Sequence, residues 1–157
     1  MPKVNPIPEG YHTVTPYLVV QDAEAVLDFT VRALGATERM RMPGAGGKIS
    51  HAEVTIGDSI VMLGSPAPGV RPTDATNNRL MPAMLYLYVD DADATYKRAI
   101  SAGAKSIEEP NDAFYGDRRA GVEDSQGNVW FVATHQEDPT GEQLQARMAA
   151  MQGARAN

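Results

Sequence analysis

The sequence predicts a single α+β domain made of two tandem βαβββ modules, residues 13–65 and residues 84–135. Two observations carry this prediction: an internal repeat, and a change inside each copy from strand periodicity to helix periodicity. The chain has 157 residues, close to the usual size of one domain, so each copy amounts to half of one. We therefore expect one folded unit with two similar halves.

The repeat relates residues 19–37 to residues 88–106, and each copy passes from a β-rich run into a helix pattern. Asp22 and Asp91 are expected to cap these helices, because a carboxylate accepts the free N–H groups of a first turn. A glycine, Gly35 or Gly103, follows each helix pattern and suits a left-handed C-cap. The predicted apolar stripes are Val26, Phe29, Ala33 and Leu34 in the first helix, and Tyr96, Ala99 and Ile100 in the second.

The remaining segments complete each module. Strands are predicted over residues 15–20, 36–42, 49–56 and 59–64, and over residues 84–89, 105–109, 117–123 and 128–135. Residues 66–83 are rich in Pro, Gly and Asn and read as a linker. Residues 139–152 predict a C-terminal helix opened by a Thr140–Gln143 capping box. We expect it to dock on its own domain; the alternative is a dimer contact.

The composition argues against several classes of function. The formal net charge of −6, with no basic run, disfavours a nucleic-acid partner. The chain has no cysteine, which excludes disulfides and thiolate metal sites. No stretch approaches the roughly 18 consecutive apolar residues of a membrane span, and the N-terminal residues contain no apolar signal core. We expect a cytoplasmic protein without a membrane partner.

Two stretches carry a family resemblance: ISHAEVTIGDSIVMLGS at 49–65 and YGDRRAGVEDSQGNVWFVATHQED at 115–138. Together with the tandem βαβββ pattern they resemble the vicinal oxygen chelate superfamily, which includes glyoxalase I, extradiol dioxygenases and bleomycin-resistance proteins. They are most similar to its PhnB-like branch. The resemblance implies a cup formed by the curved sheets of both modules, with helices outside and a ligand inside.

The resemblance also raises the question of a metal. Metal-dependent members hold one divalent ion with four side chains, and the matching positions fall near Thr15, Met62, Met84 and Phe131. Thioether and phenyl groups are not ligands for such an ion. We therefore expect neither metal nor cofactor at this site.

His51 and Glu53 are the candidate polar anchor and acid-base groups. Their strand alternates, so Ala52, Val54 and Ile56 on the helix side send His51 and Glu53 to the opposite face. If the family fold holds, that face lies inside the cup. The alternative is a solvated pair at the rim, and a relocated metal site using both residues is a further hypothesis.

Two tyrosines at equivalent places in the repeat, Tyr17 and Tyr86, are expected to face the cup and to contact a planar or amphipathic ligand. Filling of space is the plainer interpretation. The other predicted wall residues are Met62, Met84, Tyr88 and Phe131.

Three further residues have predicted positions or roles. Trp130 has the opposite parity to Phe131 and is expected in the helix-packed core. Arg118 is a candidate clamp for a carboxylate, although a surface ion pair is the more common role. His135, at a strand end, is expected to be a solvated surface residue.

The function favoured by these observations is metal-independent sequestration or carriage of an aromatic or amphipathic small molecule, as in bleomycin-resistance proteins. The alternative is a divalent-metal-dependent lyase, isomerase or dioxygenase with a relocated site at His51 and Glu53. A dimeric scaffold without a ligand is the third hypothesis. A homodimer is expected, with the modules pairing either within one chain or between two.

Overall fold

The computed structural model describes residues 6–65 and 82–155, so residues 66–81 of the predicted linker lie outside the described part. The first module contains β1 (Tyr17–Val19), α1 (Ala23–Leu34), β2 (Thr37–Pro43), a short 3-10 turn (Ala45–Gly47), β3 (Ile49–Ile56) and β4 (Ser59–Gly64). The second contains β5 (Met84–Tyr88), α2 (Ala92–Ser101), β6 (Lys105–Asp112), β7 (Asp117–Glu123) and β8 (Val129–His135), and α3 (Gly141–Arg155) follows. The predicted α+β class with two βαβββ modules is confirmed.

Each module forms one four-stranded sheet, and the two sheets repeat one topology. The strand orders are β1-β4-β3-β2 and β5-β8-β7-β6. In each sheet the first strand runs parallel to the last strand of its module, and the other pairs are antiparallel. Tyr17 lies opposite Met62 and Tyr86 lies opposite Phe131, so these four residues occupy equivalent rows.

The helix caps follow the sequence closely, with one difference. The Asp22 carboxylate accepts from the Ala25 N–H at 3.0 Å, and Asp91 does the same for Ala94 at 2.8 Å. Gly35 caps α1 in the left-handed region at φ 68°. Ala102, not a glycine, caps α2, and the left-handed Gly103 follows it. Glycine therefore ends the second helix one residue later than its first-module counterpart does.

The helices pack against each other and against one face of each sheet, which joins the modules in one core. Phe29 of α1 lies against Trp130 of β8, with ring centroids 6.1 Å apart, and Trp130 is fully buried as expected. The predicted stripe of α1 is confirmed. The stripe of α2 is corrected: Ala92, Thr95 and Ala99 are buried, whereas Ile100 is exposed. The spacing of three and four from Ala92 determines that face.

α3 begins with the predicted capping box. The Thr140 N–H donates to the Gln143 side chain at 2.8 Å, and the Gln143 N–H donates to the Thr140 hydroxyl at 3.3 Å. α3 contacts its own domain through Arg147, which pairs with Glu137 and donates from Nη1 to the Phe114 carbonyl at 3.1 Å. The apolar side of α3 remains exposed at Met148 and Met151. In the described ranges no helix is long and apolar enough to cross a membrane.

Candidate functional site

Apart from Arg118, the predicted site residues lie on the sheet surfaces that face away from the helices. In β3, Ala52 and Val54 are fully buried on the helix side, which leaves His51 and Glu53 on the other. We call the surface of the first module the first face and that of the second module the second face. The first face carries Tyr17, His51, Glu53 and Met62, and the second carries Met84, Tyr86, Tyr88 and Phe131.

Glu53 is the polar centre of the first face, and its side chain is almost completely buried, with the residue 5% exposed. Its Oε2 accepts from the Tyr11 hydroxyl at 2.5 Å and from Arg39 Nη1 at 3.3 Å. Its Oε1 lies 3.4 Å from His51 Nε2. The structure therefore brings the predicted pair together, and Glu53 is not solvated. The hydrogen bond to Glu53 raises the pKa of Tyr11.

Tyr17 lies over the same cluster. Its ring stacks on His51 with centroids 5.6 Å apart and planes at 18°, and its hydroxyl lies 3.3 Å from His51 Nδ1. A Cβ at Gly64 would overlap the Tyr17 hydroxyl, so the absence of a side chain there creates the space for the phenol. Neither contact could be predicted, because Tyr11 precedes the first predicted strand and Arg39 lies at a register shift between Glu38 and Met40.

Asp117 is the polar centre of the second face and is 2% exposed. Its Oδ2 accepts from the hydroxyls of Tyr86 at 3.0 Å and Tyr88 at 3.1 Å, and its Oδ1 pairs with His135 Nδ1 at 2.8 Å. Burial alone would raise the pKa of Asp117, but these donors outweigh it, so the pKa is lowered. The sequence analysis missed this cluster, since Asp117 marks only the start of a strand in the pattern.

His135 is exposed at the end of β8, as expected, but its ring is also paired on both sides. Its two ring nitrogens contact Asp117 Oδ1 and, at 3.1 Å, Asp138 Oδ1. The pKa of His135 is raised, first by its hydrogen bond to Asp117 and then by the one to Asp138. Burial in turn raises the pKa of Tyr86, with contributions from Tyr115 and Asp117.

The rest of the second face is an aromatic layer. Phe131 stacks on Tyr86 with centroids 6.1 Å apart, and a Cβ at Gly121 would lie 2.8 Å from the Phe131 ring. Arg119 lies over Phe131 and is bound by Glu108 at 2.8 Å. Gly121 therefore lets the Phe131 ring lie close to the sheet.

Arg118, predicted as a ligand clamp, is placed elsewhere. Its guanidinium binds Asp93 of α2 through Nε at 2.7 Å and Nη2 at 2.9 Å, and contacts Asp112 through Nη1. Strand alternation puts Arg118 on the helix side, away from both faces. The surface ion pair is thus the role that the contacts support.

The two faces are separate within one chain. Within the described ranges, residues 6–65 and residues 82–155, no hydrogen bond, ion pair or ring contact links the Glu53 cluster to the Asp117 cluster. A cleft of about 710 Å³ lies between the modules along β5. Its lining includes Tyr86 and Tyr88 but none of the site residues of the first face. In the described residues the two faces therefore do not line one common cleft.

Two βαβββ modules with helices on one side of their sheets define the glyoxalase fold class. Residues 11–132 match the Glyoxalase/Bleomycin resistance protein/Dioxygenase superfamily, and the chain belongs to it. An uncharacterized protein of Mycobacterium bovis is 34% identical over 140 residues, which cover 87% of this chain and 92% of that protein.

Solved structures share the fold. The crystal structure of TioX from Micromonospora sp. ML1 has a TM-score of 0.63 and 27% identity, covering 78% of this chain and 98% of that one. Lactoylglutathione lyase from Agrobacterium tumefaciens has a TM-score of 0.60 at 18% identity, covering 81% of this chain and 94% of that one, and shows the fold alone.

The residues present do not fit the divalent ion that the superfamily implies. Thr15 lies before β1, and its hydroxyl donates to the His12 carbonyl, while the other three positions are Met62, Met84 and Phe131. Across the described residues no group of three or more His, Cys, Asp or Glu is arranged to hold a metal.

The relocated site fits no better. The Arg39 guanidinium lies 3.3 Å from Glu53 Oε2, where its positive charge opposes a second cation. His51 and Glu53 would supply only two ligands, fewer than a stable site needs.

Proposed function

We propose that this chain binds a small aromatic or amphipathic molecule without a metal and sequesters or carries it in the cytoplasm. One observation carries the proposal. Tyr17, Tyr86 and Tyr88 are 46%, 41% and 67% exposed, although each lies on a face with a buried carboxylate beneath it. Exposed rings whose hydroxyls already have hydrogen-bond partners are suited to contact a ligand without reorganising first.

Binding is favoured over chemistry because the acidic groups of both faces are engaged. Glu53 is bonded to Tyr11, Arg39 and His51, and Asp117 has three donors of its own. A metal-dependent lyase, isomerase or dioxygenase using His51 and Glu53 is disfavoured by the adjacent Arg39. The PhnB-like branch is part of the same proposal and rests on the two stretches quoted above.

A homodimer completes the proposal. In it, the first face of one copy meets the second face of the other, and twofold symmetry closes two cups at once. The exposed apolar side of α3, with Met148 and Met151, gives a further surface that a second copy can cover. Such an arrangement would bring Tyr17 of one chain opposite Tyr86 of its partner.

Native mass spectrometry of freshly purified protein tests these points together. We expect a dimer mass, an additional organic mass and no stoichiometric divalent ion. One tightly bound ion per chain, whose removal by a chelator abolishes an activity, would replace binding with metal catalysis. A strict monomer would remove the shared cup.

Substitutions test the site itself. Tyr17→Ala combined with Tyr86→Ala should weaken ligand binding by about 1 kcal/mol or more, measured by calorimetry on folded protein. Tyr96→Ala, which removes a phenol from the helix side, is the matched control. Unchanged affinity in the double variant would leave the two rings as space filling.

The polar anchor has its own test. His51→Gln and Glu53→Gln should each lower affinity, because each removes a partner from the group that positions Tyr17. Wild-type affinity in both variants would remove the first face from the binding site.

A further inference from the structure

The phenolic protons of the second face all point inward. Tyr86 and Tyr88 both donate to Asp117 Oδ2. The Tyr115 hydroxyl accepts from Arg119 Nη1 at 2.8 Å and lies 3.2 Å from the Tyr86 hydroxyl. Because the Tyr86 proton is already given to Asp117, Tyr115 is the donor in that contact. Tyr86 and Tyr88 can therefore offer a ligand only lone pairs and ring faces.

The group around Asp117 carries a net negative charge. Asp117 and Asp138 flank the single imidazole of His135, so even a protonated His135 leaves one negative charge uncompensated. The nearby Glu137 is paired with Arg147 and adds no net charge. An anionic ligand would meet repulsion here, and a cationic one would meet attraction.

Two ring faces stand above this charge. The rings of Tyr86 and Tyr88 have centroids 5.4 Å apart and planes at 59°, so they form two adjacent walls. Phe131 stacks against Tyr86, and the exposed Met84 lies on the same face of β5, two residues before Tyr86. Ring faces attract cations through their quadrupole, and such walls are a known solution for binding ammonium groups.

The aromatic layer already holds one cation of the chain. The Arg119 guanidinium carbon lies 5.0 Å from the Phe131 centroid and 5.8 Å from that of Tyr115. Glu108 binds its Nε and Nη2, both at 2.8 Å. Arg119 is thus neutralised and engaged, and it offers little to an anionic ligand.

From these contacts we infer that the second face recognises a positively charged organic ammonium group, with Tyr86 and Tyr88 as the walls and Asp117 as the countercharge below them. This inference rests on the proposed function and narrows its ligand from aromatic or amphipathic to cationic. Asp117 acts as a positioning residue as well, because it orients both phenols.

Three probes of similar size and different charge test the inference: benzyltrimethylammonium, benzyl alcohol and phenylacetate. Calorimetric titration of the full-length protein should give an affinity for the cation at least about fivefold higher than for either of the others. Equal or tighter binding of phenylacetate overturns the inference.

Substitutions test which residues produce the preference for the cationic probe. Tyr88→Leu removes an exposed ring and Asp117→Asn removes the charge, and each should lower the affinity for the cation about fivefold while changing that for benzyl alcohol less. Tyr96→Leu on the helix side is the control. If Asp117→Asn does not fold, Tyr88→Leu decides, and unchanged cation affinity in that variant overturns the inference.

The results also separate this inference from the proposed function. If phenylacetate or benzyl alcohol binds best and requires Tyr17 and Tyr86, small-molecule binding stands and the cationic ligand falls. If none of the three probes binds, both the cationic ligand and the proposed small-molecule binding are overturned.

Discussion

The two modules share one backbone design but place different chemistry at equivalent positions. Glu53 lies opposite Met62 in the first sheet, just as Gly121 lies opposite Phe131 in the second. The first module thus has a carboxylate where the second has no side chain, and Phe131 occupies that space. In the second module the buried carboxylate is Asp117 instead, at the beginning of β7. Residues facing the helices preserve the topology, and the other face is free to differ.

The turns before the last strands differ in the same way. In the second module the buried Asp124 accepts from Trp130 Nε1 and Asn128 Nδ2, both at 2.9 Å, and from two backbone N–H groups. In the first module a tight turn leaves Asp58 exposed, where it accepts from the Ser59 hydroxyl. The Asp124 carboxylate therefore holds together the turn of the second module, whereas the Asp58 carboxylate adds one exposed contact to the turn of the first.

The largest effect should come from removing that buried carboxylate. Asp124→Ala leaves the indole and amide donors unpaired in the core, and should lower the free energy of unfolding by about 3 kcal/mol. Asp58→Ala is the matched control and should change it by less than about 0.5 kcal/mol. Urea unfolding measures both, and similar losses in the two variants would break the contrast between the turns.

The next effect concerns the two glycines that lie beneath rings. Gly121→Ala should destabilise by about 2 kcal/mol, because Phe131 is held between Tyr86 and Arg119 and cannot easily move. Gly64→Ala should cost less, since the exposed Tyr17 can turn into solvent. The same unfolding assay compares them, and a larger loss for Gly64→Ala would reverse our view of which face is more rigid.

A smaller effect is expected at Tyr11, whose hydroxyl donates to Glu53 on the first face. Tyr11→Phe removes one donor to the buried Glu53 and should lower stability by about 1 kcal/mol. Tyr96→Phe removes a phenol that donates to Ser106 at a more exposed position and is the control. If both variants lose the same free energy of unfolding, the hydrogen bond from Tyr11 to the buried Glu53 stabilises the fold no more than the exposed one from Tyr96.

The smallest effect is a pH dependence. The folded pKa of His135 is raised above 6.5, so its stabilising contribution is complete below about pH 6.5 and is lost as pH rises through the folded value. NMR titration should find this raised pKa and a lower one in Asp117→Asn. The unfolding free energy of His135→Gln should lack this dependence. An unshifted His135 would mean that Asp117 does not hold the imidazole.

Local signals explain why so much of the fold could be predicted. The observed β3, β4 and β7 coincide with the predicted segments, because alternation and flanking turns are encoded within a few residues. The pairing of His51 with Glu53 followed from parity alone. Tyr11 is 42 residues from Glu53, and Asp117 is 18 from His135, so those contacts depend on how strands meet in space. The separation of the two faces in the described residues likewise depends on how the modules pack, which no local pattern encodes.

The alternation along β3 gives one strand two sets of residues, one facing the helices and one lying on the first face. Ala52 and Val54 pack in the shared core, while His51 and Glu53 lie on the first face. A substitution at His51 or Glu53 can therefore alter the first face while leaving the core packing of Ala52 and Val54 intact. One topology used twice therefore presents two chemically different faces, centred on Glu53 in the first module and on Asp117 in the second.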